Sequence, residues 1–439
     1  MNSIAIIRKK KKSSWISCQS ITANLEQMYR IAFPDSKIRI FHTDTSMNQY
    51  ETGQVANEIF DYHPEKIVFI DHHPHPGFLL KSLDLLYDEN RPEFYFHVYG
   101  DFTLKPSDWL EVEHILQKAQ TTFFCASERQ VKLISSFINS DDDNKKSIHY
   151  LPFPVNNDVF YFDSTNREEI RKELGIGKDD FMFLYTGRLS IQKNVLQLIS
   201  IFGFLQEYNI SRKSHLIIAG GVDDIGIPYI GESGFPGSFF TTFSNVLENK
   251  ILHKNSKYIQ YAGNLENEKL REIYNAADCF ISLSTHNDED FGMSPAEAMC
   301  SGCPLLLSDW AGYASFETIN KNACKLIPVD IQNKMILPIF GFAIKAMITT
   351  LKNSYNQEKR KQDAKHAANS LSIEKVAIKL REFHEKTPPH FDSFNTLLAK
   401  LHAAYISNKK APFKGENGFS HLFKEIYSSY FNQEWQDEK

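Results

Sequence analysis

The sequence predicts an α/β protein of more than one domain, and three observations carry that expectation. Short apolar runs of strand length alternate with helix-length stretches along most of the chain. Its 439 residues suffice for two or three domains of ordinary size. The stretch 279–312, CFISLSTHNDEDFGMSPAEAMCSGCPLLLSDWAG, reads as a complete βαβ unit. Within it 279–284 and 303–307 are strand-like, and 295–300 holds good helix formers. Such a unit runs its strands parallel and presents the loop after the first, 286–292, at the carboxyl edge of the sheet, where α/β proteins bind ligands.

Composition removes several function classes. With 42% hydrophobic and 23% charged residues the chain is ordinary for a soluble globular protein, and a formal charge of −5 argues against a general nucleic-acid binder. The only early apolar run, 4–7, precedes its lysines, which is the wrong order for a signal peptide. The apolar stretch 335–351 is broken by Pro338 and Lys345, so no membrane span is expected. Six scattered cysteines make no disulfide framework and fit a reduced, cytoplasmic location. Cys300 and Cys303 form a lone CxxC and read as packing.

In chain order, 4–7 is the first strand and 21–33 the helix after it, with 9–20 as the loop between. Strands follow at 37–41, 66–70, 93–98 and 121–126, with a helix at 110–119. The segment 71–77, DHHPHPG, invites a zinc site, but its prolines and the lack of a second ligand group argue against one. Asp141, Asp142 and Asp143 stand beside two lysines and read as a solvated loop. The charge-dense stretch 162–178 is the expected linker, dividing 1–170 from 171–372. The second domain opens with the strand 181–186. Arg188 at its carboxyl end and Lys193 five residues on form a candidate diphosphate clamp; two solvent-facing cations are the plainer alternative. The strand 215–219 leads to a Gly/Pro-containing surface excursion at 222–238, and 258–262 ends in Gly263 and Asn264. The helix 268–277 returns to the βαβ unit. Beyond 388 come ten large aromatics, from Phe391 to Trp435, which imply a docked segment on this chain or on a partner.

One motif spans loop, helix and returning strand together. Glu-x-Phe-Gly-x-x-x-x-Glu-Ala-Met-x-x-Gly-x-Pro, from Glu289 to Pro304, resembles the signature of family-four retaining glycosyltransferases (glycosyl transferases group one) with the GT-B fold. The resemblance implies two doubly wound Rossmann-like domains facing a cleft. It also implies a closing helix at 373–385 that returns to the first domain, within a helical, aromatic-rich extension over 373–439. It implies roles as well: Glu289 on the transferred sugar, Glu297 on the ribose, and Arg188, Lys193 and the amides around Gly292 on the diphosphate. Gly263 and Asn264 would lie beside the base, and His97, ending the strand 93–98, would face the reaction centre. Each role suits its place, since Gly292 permits close approach, a helix start offers unpaired amides, and carboxylates accept from sugar hydroxyls. Plainer readings stand beside two of them: Ser294 to Glu297 also fits a capping box, and His97 a strand-end cap.

The implied partners are a nucleotide-sugar donor and a glycan, lipid-linked or protein acceptor, with no metal and no cofactor. The chain departs from the family in two loops. Lys9, Lys10, Lys11, Lys12 and Trp15 stand where relatives carry a Gly-Gly pair, and only Gly312 survives of a second glycine-rich loop. The four lysines are either a solvated loop or an attraction for an anionic acceptor at a membrane face, with Trp15 as an interfacial anchor and the protein held peripherally there. These departures also admit a partner subunit that binds carbohydrate or nucleotide without transfer.

Overall fold

The computed structural model describes residues 3–10, 16–44, 46–70, 77–99, 102–139, 147–208, 211–224, 235–248, 256–287, 289–332, 335–353, 355–384, 390–416 and 418–430. The first compact unit comprises Met1–Pro154, Ile373–Lys409 and Glu425–Tyr430. Its strands are β1 (Ser3–Lys9), β2 (Lys37–Thr43), β3 (Lys66–Phe69), β4 (Glu93–Val98), β5 (Thr121–Cys125) and β6 (Ile148–Tyr150). They form one parallel sheet in the order β2-β1-β3-β4-β5-β6. The inner strands β3 and β5 are buried along their whole length, which is why, after Lys66 at the start of β3, they read as apolar or β-branched runs.

The second unit comprises Val155–Ser372 and Lys410–Lys424. Its sheet holds β7 (Phe181–Thr186), β8 (Ser214–Ala219), β9 (Ile259–Tyr261), β10 (Cys279–Ser282), β11 (Leu305–Ser308) and β12 (Cys324–Ile327), in the order β12-β11-β10-β7-β8-β9. All pairings are parallel. The chain winds outward first on one side of β7 and then on the other, so the switch point lies between β7 and β10. Ligands of open α/β sheets bind at that point, outside the carboxyl ends of the strands. Two short hairpins complete the set: β13 (Val329–Gln332) with β14 (Met335–Pro338), and β15 (Lys414–Gly415) with β16 (Gly418–Phe419).

The division falls between Pro154 and Val155, ahead of the charge-dense stretch. The Arg167–Glu173 helix within that stretch belongs to the second unit because its charges are spent there. Arg167 and Arg171 both pair with Asp278 at the start of β10, and Arg167 also donates to the carbonyls of Asn275, Ala276 and Ala277.

The first helix runs over Ile16–Ala32, five residues earlier than its apolar periodicity begins, since serines and glutamine are tolerated on a solvent-facing first turn. The Ile373–His384 helix groups with the first unit and sets His384 edge-on against Phe33. The described part of the aromatic extension docks on its own chain. Phe391 and Phe394 pack against Phe123 and Trp109, the Tyr427 hydroxyl meets Thr103 at 2.7 Å, and Arg129 holds the Tyr430 carbonyl at 2.9 Å. Cys300 and Cys303 are buried free thiols, and burial pushes them up to about 12 and about 11. Among the described residues no helix is long and apolar enough to cross a membrane.

Candidate active site

The loops after β7 and β10 meet at the switch point and bring Arg188, Lys193 and Glu289 together with Glu297. The loop after β7 is held by backbone bonds to its neighbours: Gly187 N–H donates to Ala219, Leu189 N–H to Gly221, and Gly220 N–H to the Gly263 carbonyl. Gly220 has φ 140°, and a Cβ there would sit 1.9 Å from the Gly187 oxygen, so only glycine fits. The Ile191–Lys193 turn then ends on Asn194 in the left-handed region (φ 52°), whose carboxamide bonds the Leu283 carbonyl and the Thr285 hydroxyl across to the β10 loop.

Lys193 forms an ion pair with Glu289, both largely buried, and Arg188 pairs with Asp223 at 2.8 Å. Each cation expected at a diphosphate is therefore already matched with a carboxylate. Asp223 was not singled out from sequence because it sits in the irregular stretch after β8, with no periodicity to mark it.

Glu289 is fixed from behind. Gly312 N–H donates to the Glu289 carbonyl at 2.8 Å, Trp310 Nε1 donates to His286 O at 2.8 Å, and Ser308 donates to Ser284 O. A Cβ on Gly312 would lie 2.0 Å from the Asp290 oxygen. The chain thus builds from Ser308, Trp310 and Gly312 the support that its altered loop left in question. The Tyr313 hydroxyl, bonded to Ser282 at 2.9 Å, also reaches Glu289. Burial lowers His286 well below its usual range, with Lys193 and Arg188 adding to the effect, so it is neutral.

Glu297 is not a capping residue. The Met293–Cys300 helix has Gly292 at its N-cap (φ 102°), and Ala296 N–H donates to Gly292 O, which places Ser294 inside the helix. Glu297 is 7% exposed, and burial pushes its carboxyl up to about 8 although the Tyr274 hydroxyl, 3.3 Å away, pulls the other way. Tyr274 in turn bonds Thr186 at the end of β7 at 2.6 Å. Neither Tyr274 nor Tyr313 was marked by sequence, since each reads as an apolar position of its helix or turn. The first-turn amides of the Met293–Cys300 helix have no intrahelical partners, and the helix dipole adds positive potential there. Gly263 and Asn264 follow the edge strand β9; Gly263 has φ 77° and Asn264 is exposed.

His97 belongs to the first unit. It is 2% exposed inside β4, its Nε2 is 2.9 Å from the Tyr29 hydroxyl, its ring stacks on Phe124, and burial lowers it to about 3. It is a buried, neutral histidine of the first sheet, one residue before the end of β4 at Val98. Lys9 is the last residue of β1 rather than part of a loop, and Lys10 is exposed just beyond it. Lys11, Lys12, Trp15, the histidine-rich 71–76, the acidic run 141–143 and Trp435 lie outside the described residues. Among the described residues no group of three metal-ligating side chains is gathered.

Comparison with known proteins bears on the second unit and on the fold. Residues 166–333 match the family described as glycosyl transferases group 1. The fold is GT-B. A solved structure of Anabaena HepE in complex with UDP superposes with a TM-score of 0.62 at 12% identity, covering 88% of this chain and 100% of that one. Mannosylfructose-phosphate synthase from Agrobacterium fabrum is 29% identical over 190 residues, 42% of this chain and 38% of that protein. Alpha-monoglucosyldiacylglycerol synthase from Acholeplasma laidlawii is 25% identical over 179 residues, 40% and 39% of the two chains. The chain thus spans about two-fifths of the length of these curated relatives. Arg188, Lys193, Gly263, Asn264, Glu289, Gly292 and Glu297 all fall within the matched stretch, whereas His97 and Lys9 to Lys12 do not.

Proposed function

We propose that the protein is a retaining glycosyltransferase of family four that moves a sugar from a nucleotide-sugar donor to an acceptor hydroxyl. The observation that carries this reading is the gathering of Arg188, Lys193, Glu289 and buried Glu297 at one switch point, beside a helix start that offers free amides.

The chemistry follows from the geometry. Transfer with retention asks mainly that charge on the departing diphosphate be stabilised while the sugar, carrying positive character at its reacting carbon, is held. Arg188 can bind two phosphate oxygens at once, and Lys193 supplies a mobile point charge. In the free protein Asp223 and Glu289 neutralise these cations. An arriving diphosphate replaces the carboxylates as their partner and leaves Glu289 to accept from sugar hydroxyls. The amides at Gly292 and Met293 complete the anion site. Glu297, next to Tyr274, accepts from the ribose hydroxyls, which requires it to give up its proton. No step in this scheme calls for a metal. Uridine diphosphate sugars are the first donors to try, given the UDP in the Anabaena structure. An anionic, lipid-linked acceptor drawn by Lys9 and Lys10 remains part of the proposal.

The test is calorimetric titration with UDP and a nucleotide-sugar panel. Arg188→Ala and Lys193→Ala should each weaken nucleotide binding about tenfold or more, the loss of a charge-assisted hydrogen bond. Binding indifferent to both substitutions contradicts the site.

A further inference from the structure

Arg360 is a buried cation that the donor contacts leave unused. It is 1% exposed, on the first turn of the Gln357–Leu371 helix, and its fork is aimed at two carbonyls. Nε donates to Gly302 O at 2.8 Å and Nη2 to Tyr274 O at 3.3 Å, while Nη1 is buried with no hydrogen-bond partner. Arg167 and Arg171 repel it, and Asp278, which attracts it, is already paired with both of them. Apolar side chains often replace such buried charges with no loss of stability, so stability alone gives little reason for a guanidinium here. The two carbonyls it holds supply another.

Each carbonyl belongs to the end of a helix that carries a residue of the site. Gly302 follows the Met293–Cys300 helix, which bears Glu297; it is left-handed (φ 73°), and its N–H closes the last turn on Met299 O at 3.0 Å. A Cβ on Gly302 would lie 2.7 Å from the Arg360 oxygen and 2.8 Å from the Phe162 ring, so the two helices leave no slack at this contact. Tyr274 sits in the last turn of the Asn267–Ala276 helix, where carbonyls have no intrahelical partner. Arg167 takes the carbonyls of Asn275, Ala276 and Ala277, and Arg360 takes that of Tyr274. At its far end the Tyr274 hydroxyl meets Glu297 at 3.3 Å and Thr186 at 2.6 Å. A guanidinium fixes its donors in one plane, so a fork shared by two helix ends also fixes their spacing, and its charge suits the negative ends of both dipoles.

We propose that Arg360 is a positioning residue for the nucleotide site: by holding the Gly302 and Tyr274 carbonyls in one fork, it sets the Tyr274 hydroxyl against the Glu297 carboxyl. It acts through these two residues rather than on the nucleotide, and the proposal rests on the reading of Glu297 as the ribose carboxylate. Arg360 lies outside the family match at 166–333.

The experiment is a double-mutant cycle on the full chain, read by calorimetric titration with UDP. Arg360→Met should weaken UDP binding about tenfold, the loss of one hydrogen bond to a carboxylate, but no more than about twofold when Tyr274→Phe is already present. Unchanged affinity in Arg360→Met, or the same loss in both backgrounds, overturns the proposal. A second measurement needs no nucleotide. Burial raises the Glu297 carboxyl to about 8 and the Tyr274 bond pulls it down, so stability from its proton is present at low pH and is lost as pH rises through that value. With the bond gone the carboxyl titrates higher, and the urea midpoint of Arg360→Met should fall further between pH 5 and pH 9 than that of the wild type. That excess should vanish in the Glu297→Gln background; no excess, or one that survives there, overturns the proposal. The other groups facing these two leave the interval clear. Cys300 beside Glu297 titrates at about 12, and Cys303, Tyr355 and Arg167, all lowered by Arg360, move further up without it, while Arg171 and Asp278 are present in every variant. Should Arg360→Met fail to fold, Arg360→Lys, which keeps the charge without the fork, is expected to weaken UDP binding severalfold, and unchanged affinity overturns the proposal. Absence of UDP binding by the wild type would sink the donor reading, while the unfolding measurement would still decide whether Arg360 sets Tyr274 against Glu297.

Discussion

Glu297 is where burial and function pull hardest against each other. Its folded carboxyl titrates at about 8, against 4.5 for an unburied one, because desolvation outweighs the Tyr274 hydrogen bond. The folded state therefore holds a proton that the unfolded state has released. Stability from this group is complete below pH 4.5 and is lost as pH rises through about 8. At about 1.4 kcal/mol per unit of displacement, the cost by pH 9 is a few kcal/mol. Urea unfolding of the wild type and Glu297→Gln at pH 5 and pH 9 is expected to show the wild type losing more stability across the interval; parallel losses would contradict it. If Glu297 ionises to accept ribose hydroxyls, UDP binding near pH 7 also releases a proton. Calorimetry in buffers of different ionisation enthalpy should show that release in the wild type and its loss in Glu297→Gln, along with weaker binding. Gly292 tests the same corner sterically. A Cβ there would lie 2.6 Å from the Tyr313 ring and 2.8 Å from Pro295, at φ 102°, so Gly292→Ala should cost about 1–3 kcal/mol in thermal or chemical unfolding and reduce nucleotide affinity.

The elements carry their own predictions. The Arg167–Glu173 helix is clasped to β10 by one carboxylate, Asp278, against which two largely buried guanidinium groups are set. Asp278→Ala leaves both cations without it, and a loss of about 3–5 kcal/mol in urea unfolding is expected; a loss under 1 kcal/mol would show that the backbone carbonyls alone hold the helix. In the extension, Phe394 is 7% exposed between Phe102 and Trp109, so Phe394→Ala should cost about 3–5 kcal/mol in the same assay. These elements also show what sequence could and could not reveal. The inner strands such as β5, β7 and β10 were legible because they are buried on both faces and read as apolar or β-branched runs. The loop–helix motif from Glu289 to Pro304 was legible because Gly292 and the turn it allows have no substitute. The Ser294 capping box, the plainer alternative, has the right spacing, but Gly292 moves the helix start. The packing of His97 against Tyr29 and Phe124 was not legible, since both partners lie far from it along the chain. Asp223, Tyr274 and Tyr313 were illegible, since each is defined by a partner far along the chain.

For the molecule as a whole, two parallel six-stranded sheets form the scaffold, and the second sets a charged cluster at its switch point. Across pH 5–8, His97 and His286 are both held neutral by burial, which leaves Glu297 as the group expected to shape the pH dependence of nucleotide binding there. The account rests on transfer from a nucleotide sugar through Glu289. The deciding measurement is release of free nucleotide from a panel of nucleotide sugars, with and without acceptor saccharides and anionic lipid vesicles, by the wild type and Glu289→Ala. The account predicts turnover of at least one donor by the wild type, and a fall of at least about a hundredfold in Glu289→Ala with UDP affinity largely kept. Silence of the wild type across the whole panel, or equal turnover by both proteins, would contradict it.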